Sequence, residues 1–528
     1  MKDQISRRAC FQALGAAPLA GAGSMPEAVD PPAYRNYFGD LHNHDNVGYA
    51  QGSLGRSYEI ARAHLDFFAF TPHEQWYDIR KRYELNIQDK WINGFAVTRA
   101  RWNEVMEMNR RFDAPGRFVV IPAFEWHSNS DGDYHCLFPS LEAELPGTMP
   151  LADLQAFARR HGCILVPHHP ANRLGHRGAN FATRDPQLSP VLEIFSEWGC
   201  AESDRSPYPY IRHTEGGRWT LNTLQSLLAR GYRMGVVAST DDHLGYPGAY
   251  REGLAAIKAS ELTREAIFDA LRNRRTYAVT GDRIELDFRL NGETMGRELP
   301  YVHERRIEVA VTGWDQVDRV EIFKNNQVIH RDFPMDNRPT ARSWERPVLV
   351  RFEYGWGPWP ALGIVRVADW AIRLAVKDGE IEAVQPCFLS GPLEEGRRDR
   401  ILEQTPQAVV ATSFTALRQQ IDDYSQKAIV LRLRGTAATR LTLTLDAPAK
   451  VSVERSLGQL AESNEPVFTG EFPRESGLLN RVVFADHYHT SFSFLDRDDG
   501  SQATWYYVRV TQANGQMAWS SPIWVERA

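Results

Sequence analysis

Residues 36–53 read NYFGDLHNHDNVGYAQGS, a short apolar run followed by histidines at 42 and 44. Alternate side chains of an extended chain share a face, so His42 and His44 point to the same side. Six further runs have the same short apolar texture, giving candidate strands at 37–41, 67–71, 118–123, 164–167, 191–195, 234–239 and 254–259. Helix-like segments lie between several of them, at 57–64, 151–161, 220–230 and 263–274. The last opens on Thr263 with Glu265 behind it, an N-cap and an acidic first turn. Repeated strand–helix alternation predicts a parallel α/β sheet or barrel, and seven strands favour a closed or nearly closed barrel.

In such a barrel the chemistry gathers at the carboxyl ends of the strands. The first ends in His42-Asn43-His44, and the second, LDFFAFTPHE, in His73. The third, VVIPAFEWHS, ends in Glu125, with His127 beyond it and His135 in GDYHCLF. The fourth, CILVPHHPAN, ends in His168 and His169, and the sixth, MGVVASTDDHLG, in Asp241-Asp242-His243. One histidine at a strand end is usually a packed residue; imidazoles or carboxylates at most of the strand ends are not explained that way. Neutral imidazoles with carboxylates and no thiolate suit Zn, Mn or Fe.

After about residue 283 the texture changes. Runs such as RIEVAVTG, TRLTLTLDA and TWYYVRVT alternate with period two and are separated by Asn-Gly and Asp-Gly turns, which predicts an antiparallel β-sandwich over 283–528. The stretch 395–425 reads as a helical or loop insertion. A second H-x-H pair, His487 and His489 in FADHYHTSF, has no carboxylate-bearing strand end beside it and reads as surface or interdomain packing.

The 528 residues carry 61 basic and 67 acidic side chains, a net charge of −6, with no Lys/Arg block. That weighs against a nucleic-acid or anionic-membrane partner. Five cysteines without C-x-x-C spacing signal neither a thiolate zinc site nor a disulfide framework. Residues 1–30 pair Arg7 with Arg8 ahead of a small, apolar, uncharged stretch too short to span a bilayer. They read as an export signal and linker of twin-arginine or Sec type, predicting a periplasmic or secreted protein with no membrane span in the mature chain.

The order H-x-H, T-x-H, Glu, His, His-Pro, D-x-H resembles the polymerase-and-histidinol-phosphatase (PHP) superfamily. The stretches YFGDLHNH, EIFSEWG, GVVASTDDHLGYPG, LTREAIFDALRNRRTYAVTGDRIELDF and MAWSSPIWV resemble a group of exported PHP-like bacterial proteins over nearly the whole mature chain. The resemblance implies a distorted seven-stranded, TIM-like β/α barrel over 35–282 holding up to three metal ions. It implies that His42, His44, Glu125 and Asp241 hold the first metal, and His73 and His243 the second. His135 and His169 would hold the third, bridged to the first by Glu125, with His168 the alternative to His169 and His127 the alternative to His135. Two departures stand out. Tyr49 or a neighbour occupies the place of an acidic or histidine ligand of the second metal, for which Asp45 is a substitute, and Pro72 replaces the acid of a T-D-H step.

The activity so implied is that of an exported phosphoesterase using water activated by one to three divalent ions. Arg173, His176 and Arg177 are candidates to receive a phosphate or carboxylate, Glu197 to donate a proton or a supporting hydrogen bond, and Tyr49 to act as acid or base. A metal-dependent polysaccharide- or glycoside-cleaving lyase or hydrolase is the alternative, and a non-catalytic module with a structural metal is a third reading. The expected substrate is an anionic small molecule or oligosaccharide.

Overall fold

The computed structural model describes residues 34–79, 87–210, 216–355, 367–389, 393–416 and 426–528. The expected leader at 1–30 lies outside them, as do 356–366 and 417–425.

The N-terminal strands are β1 (Arg35–Asp40), β2 (Phe67–Phe68), β3 (His73–Trp76), β4 (Val119–Val120), β5 (Ala123–His127), β6 (Asp133–Leu137) and β7 (Ile164–His168). They continue with β8 (Val191–Ser196), β9 (Gly199–Cys200), β10 (Gly235–Ala238), β11 (Leu254–Ala259) and β12 (Thr276–Val279). β1 pairs in parallel with β2, and β2 with β4, but β1 pairs antiparallel with β11, and β11 with β12. The β1–β2 approach is close because residue 39 is glycine; a Cβ there would stand 2.3 Å from the carbonyl oxygen of Phe67.

The expected parallel, closed barrel is therefore corrected. The sheet is mixed, and among the described residues its ladders do not close into one ring. Proline is one reason. Pro72 and Pro122 lack the N–H that a ladder needs, and the stretches LDFFAFTPHE and VVIPAFEWHS, each read as one strand and its end, split there into β2 and β3 and into β4 and β5. The second halves join β6 and β7 in a separate four-stranded sheet, β3–β5–β6–β7. The other reason is a tight reversal at residues 128–132, with Gly132 at φ 83° and its N–H bonded to the Ser128 carbonyl. It turns the stretch bearing His135 into a strand antiparallel to both neighbours, aligning His135 with Glu125 on one side and Val166 on the other. The strands nonetheless draw on one core. Leu41, Phe67, Val119, Val166, Val191, Val237 and Ile257 pack together, joined by Ile267 and Phe268 from the helix that follows β11. Each such side chain contributes about 2 kcal/mol when fully buried.

Helices α1 (Leu54–His64), α2 (Ile87–Phe112), α3 (Leu151–His161), α4 (Leu224–Ala229) and α5 (Arg264–Arg272) lie between the strands. Thr263 caps α5 as expected, its hydroxyl accepting from the Ala266 N–H. The long α2 has no counterpart among the expected helices. Its buried face, Phe95, Thr98, Trp102, Val105, Met106, Asn109 and Phe112, keeps three- and four-residue spacing throughout.

The C-terminal region forms sandwich-like sheets. Strands Val348–Tyr354 and Lys427–Arg434 lie in one five-stranded sheet, Val367–Lys377 and Arg440–Ala447 in another. Phe352, Ile429 and Leu431 from the first meet Trp370, Leu374 and Leu443 from the second. Within the stretch read as a helical or loop insertion, the described residues 395–416 carry strands Arg400–Gln404 and Ala408–Ala416, the latter rich in β-branched and aromatic residues. The chain ends by returning to the first sheet, where strand Met517–Ser520 pairs with β12.

Candidate metal centre

The ends of β1, β7 and β10 and the sheet β3–β5–β6–β7 bring all nine expected ligands together. Groups of imidazoles and carboxylates close enough to share an ion include His42–His44–Asp241, His44–His73–His243, His42–His135–His168, His73–Glu125–His127 and Glu125–Asp133–His168–His169. His42, His44, His73, Glu125, His135, His168, His169 and Asp241 are buried, and His243 is partly exposed. The β1 and β10 ends are locked by the Asp241 N–H donating to the His42 carbonyl and the His44 N–H to the Asp242 carbonyl, 2.8 and 2.9 Å. Asp241 and His169 reach the cluster from left-handed backbone, φ 55° and 27°, which L side chains adopt at a cost.

Glu125 is the hub. Its Oε1 lies 2.8 Å from His168 Nε2 and 2.9 Å from His127 Nε2. Its Oε2 lies 3.3 Å from Nε2 of both His44 and His73 and 3.7 Å from that of His42. Asp241 Oδ1 lies 3.0 and 3.4 Å from Nε2 of His44 and His42.

The outer nitrogens fix the tautomers. A carbonyl oxygen only accepts, so Nδ1 of His127 donates to Gln75, 2.9 Å, and Nδ1 of His243 donates to Asp241, 2.8 Å. Nδ1 of His42 donates to Glu193 Oε2 at 3.1 Å. In His42 and His127 this turns Nε2 toward Glu125, the arrangement by which outer hydrogen bonds orient metal-ligating histidines. Nε2 of His42 and of His44 stand 3.2 Å apart, and both nitrogens of buried His135 lack a hydrogen-bond partner. Ligand atoms about 2.1 Å from a shared centre stand about 3.0–3.4 Å from one another. The residues present therefore fit a divalent cation.

The electrostatics agree. Burial is the first cause that holds His44 down at about 4 and His73, His135, His168 and His169 well below the usual imidazole range, leaving neutral rings. Burial works against charge at His42 too, but Asp241 and Glu193 outweigh it and hold that ring well above its usual value. Burial likewise opposes the charge on Glu125, and the surrounding His127, His73 and His168 overcome it and keep the carboxyl ionised.

The remaining candidates fall on the rim or outside. Tyr49 stacks on His73, ring centroids 3.6 Å apart, with burial and then Glu125 pushing its phenol well above the usual range. Asp45 accepts from the Val47 N–H at 2.7 Å and so braces the turn that carries Tyr49. Glu197 Oε1 lies 3.4 Å from Nδ1 of His243 at the solvent edge. Arg173 and His176 are exposed on the loop after β7, and Arg177 turns inward instead, its Nε donating to Asp133 Oδ2 at 2.8 Å. His487 bonds to the Asn337 carbonyl and His489 to Thr312, both on the sandwich surface. Glu193 and Asp133 were absent from the expected set. A lone carboxylate in the buried run VLEIFS was the available sign for Glu193; Asp133 had no comparable one.

A family profile described as "Protein of unknown function (DUF3604)" matches residues 249–295. An uncharacterized protein of Chlamydia trachomatis serovar D is 28% identical over 250 residues, 43% of this chain and 40% of the relative. One of Chlamydia pneumoniae is 29% identical over 262 residues, 45% of this chain and 41% of the relative. The matched regions thus span about two fifths of the curated relatives' length. Among solved structures, a two-domain protein from Bacteroides vulgatus containing a predicted PHP-like metal-dependent phosphoesterase aligns with a TM-score of 0.31 and 15% identity, covering 57% of this chain and 84% of that one, a likeness too remote to bear on activity.

Proposed function

We propose that this chain is a metal-dependent hydrolase that cleaves phosphate esters of anionic small molecules or oligosaccharides. The observation that carries the reading is Glu125, whose two oxygens each face a different set of inward-pointing imidazoles. That arrangement suits a cluster of one to three Zn, Mn or Fe ions better than one closed structural site, which ends at four ligands. His42, His44, Glu125 and Asp241 would hold one ion, His73 and His243 a second, and His135 with His168 or His169 a third. Bound divalent ions supply Lewis acidity toward a phosphoryl oxygen and make water a nucleophile at neutral pH.

The chain's own groups do the rest. Glu193 and the carbonyls of Gln75 and Asp241 fix the ring orientations. Arg177, held by Asp133, sets a positive charge beside the cluster for an anionic substrate, a role its geometry supports better than that of exposed Arg173. Glu197, beside His243, would pass a proton to a leaving oxygen, and Tyr49, stacked on His73, would wall that side. Export through the leader at 1–30, and a division into a 35–282 metal-binding unit and a 283–528 sandwich, belong to the same proposal. Among the described residues no helix is long and apolar enough to cross a membrane.

The test is metal content per chain, followed by a screen of phosphomonoesters and diesters. Two or three equivalents, with turnover abolished in folded His42→Ala and Asp241→Ala variants, support the reading. A metal-replete protein inert on every phosphoester overturns it.

A further inference from the structure

Strand β5 ends on a second alternating pair. Glu125 and His127 stand two apart on extended backbone, so they project to the same side, and both are buried. Parallel pairing lays β3 alongside, with His73 opposite Glu125 and a shift in register before Gln75. The Gln75 carbonyl accepts from Nδ1 of His127 at 2.9 Å. Gln75 is itself pinned, its side chain donating to the Gly147 carbonyl and accepting from the Met149 N–H, both at 2.6 Å. Trp76 and Phe95 flank the imidazole, ring centroids 5.7 and 6.1 Å away. The His127 ring is thus oriented through its outer nitrogen, and Nε2 is turned inward.

By distance alone Nε2 of His127 would hydrogen-bond to Glu125 Oε1, 2.9 Å away. The direction is wrong for that. Among the described residues this nitrogen has no hydrogen-bond partner, whereas Nε2 of His168 bonds to the same oxygen at 2.8 Å. A nitrogen and an oxygen that are close but misdirected are what two ligands of one ion present, because each lone pair aims at the ion and not at the other atom. The second oxygen of Glu125, Oε2, also lacks a hydrogen-bond partner among the described residues and lies 3.3 Å from Nε2 of His73. His73 is held in turn, stacked on His44 and on Tyr49 with ring centroids 3.9 and 3.6 Å away. One donor atom from each of His73, Glu125 and His127 lies within 4.8 Å of the other two.

We propose that His127 is itself a metal ligand and holds the second ion together with His73 and Glu125. The assignment rests on the metal-dependent hydrolase reading and adds His127 to the nine ligands expected there. Two imidazoles and a glutamate are a donor set that zinc uses in catalytic sites, where a fourth position stays open. His243 is a third exposed and donates through Nδ1 to the Asp241 carbonyl. It stays at the rim beside Glu197 and is not needed to keep that ion.

The experiment counts zinc per folded chain, by plasma mass spectrometry after dialysis at fixed free zinc. It compares the full-length wild type with His127→Ala, His127→Gln and His243→Ala, with circular dichroism as the folding check. The amide of His127→Gln can still donate to the Glu125 carboxylate, as a merely structural residue would, but offers no imidazole nitrogen. Both His127 variants should carry one equivalent fewer than the wild type, and His243→Ala should keep the wild-type count. A full count in His127→Gln overturns the assignment, as does an ion lost from His243→Ala and from neither His127 variant. Anomalous diffraction from zinc-loaded wild-type crystals reads the same point without a variant. An ion on Nε2 of His127 supports the assignment, and ions bound elsewhere with none there overturn it. The two readings fail separately. A count that falls as expected in a protein inert on every phosphoester removes the hydrolase and keeps the ligand; phosphoester turnover with a full count in His127→Gln does the reverse. A wild type that takes up no divalent ion overturns both.

Discussion

Nε2 of His127 lies 2.9 Å from Oε1 of Glu125, while its Nδ1 donates to the carbonyl of Gln75 at 2.9 Å. With the outer nitrogen protonated, the inner one meets a carboxylate with its lone pair, and two acceptors at hydrogen-bond distance repel unless a proton or a cation lies between them. His44 and His73 bring Nε2 to 3.3 Å from the other oxygen of the same carboxylate, so several ligand atoms crowd one point. Metal binding is then also folding energy. At a thousandfold excess over Kd, a divalent ion should stabilise the protein by about 4 kcal/mol relative to the chelated state. Calorimetric unfolding with and without chelator measures this; superimposable curves would refute it.

Chelation should also expose a pH optimum of stability. Burial opposes the charge of His243 but Glu197 and Asp241 outweigh it, raising the ring from 6.5 to about 9, and Glu125 raises His127 in the same way. Stability from these two is complete below pH 6.5 and is lost as pH rises through the folded values. Burial and then His243 lower His44 to about 4, so the unfolded chain takes up that proton first and stability falls as pH drops from 6.5 toward 4. Denaturant midpoints of the chelated protein should peak near pH 6.5 and decline by pH 9, and metal should flatten the alkaline limb. A chelated protein more stable at pH 9 than at 6.5 contradicts the assignment.

Glu193 should act on metal affinity through His42 alone. Its Oε2 accepts from His42 Nδ1 at 3.1 Å, and it is buried too far behind the ring to be replaced by solvent. Glu193→Ala should weaken the first metal about 10- to 100-fold, with Glu193→Gln, which still offers an acceptor, nearer wild type. Competition against a chromophoric chelator reads both. Equal affinities in all three proteins would remove the orienting role.

Gly94, inside α2, inverts an ordinary rule. Replacing a mid-helix glycine with alanine normally stabilises by about 1 kcal/mol. Here a Cβ would stand 2.8 Å from Cδ1 and 3.0 Å from Cβ of Tyr49, the ring stacked on His73. Gly94→Ala should therefore destabilise, by about 1–3 kcal/mol, and thermal unfolding gives the sign directly.

How far the sequence disclosed this molecule depends on what each residue had to signal. Strand β11, 254–259, and helix α3, 151–161, stand where their apolar periods placed them. The nine clustered side chains were legible because histidine and acid are unusual at the ends of apolar runs. Closure of the barrel was misread because LDFFAFTPHE and VVIPAFEWHS were each read straight through their proline, whereas Pro72 and Pro122 pass the chain from one sheet to another. The β5–β6 hairpin was hidden because β6 is buried on both faces and shows no alternation. Arg177 was legible only as one of three candidate anion-binding side chains after His169; its choice of Asp133 over solvent is a tertiary fact.

A buried ion pair in the sandwich is linked to the loop that follows Asp241. Nζ of Lys427 lies 2.7 and 2.9 Å from the two oxygens of Asp399, both residues being buried in the sandwich. Asp399 also accepts from the hydroxyl of Tyr246, whose backbone N–H donates to Asp242 Oδ1 at 2.7 Å. The carboxylate thus tethers the loop that leaves Asp241 and His243. Asp399→Ala removes the carboxylate that faces the buried Lys427 ammonium and should cost about 3–5 kcal/mol, whereas removing both charges is often close to neutral. Asp399→Ala with Lys427→Met should accordingly recover most of the stability without restoring the Tyr246 tether. Its metal affinity should then stay below wild type although its unfolding midpoint returns. If the double variant is as unstable as the single one, loss of the Asp399–Lys427 pairing was not the cause; if both affinity and stability return, the tether does not hold the loop.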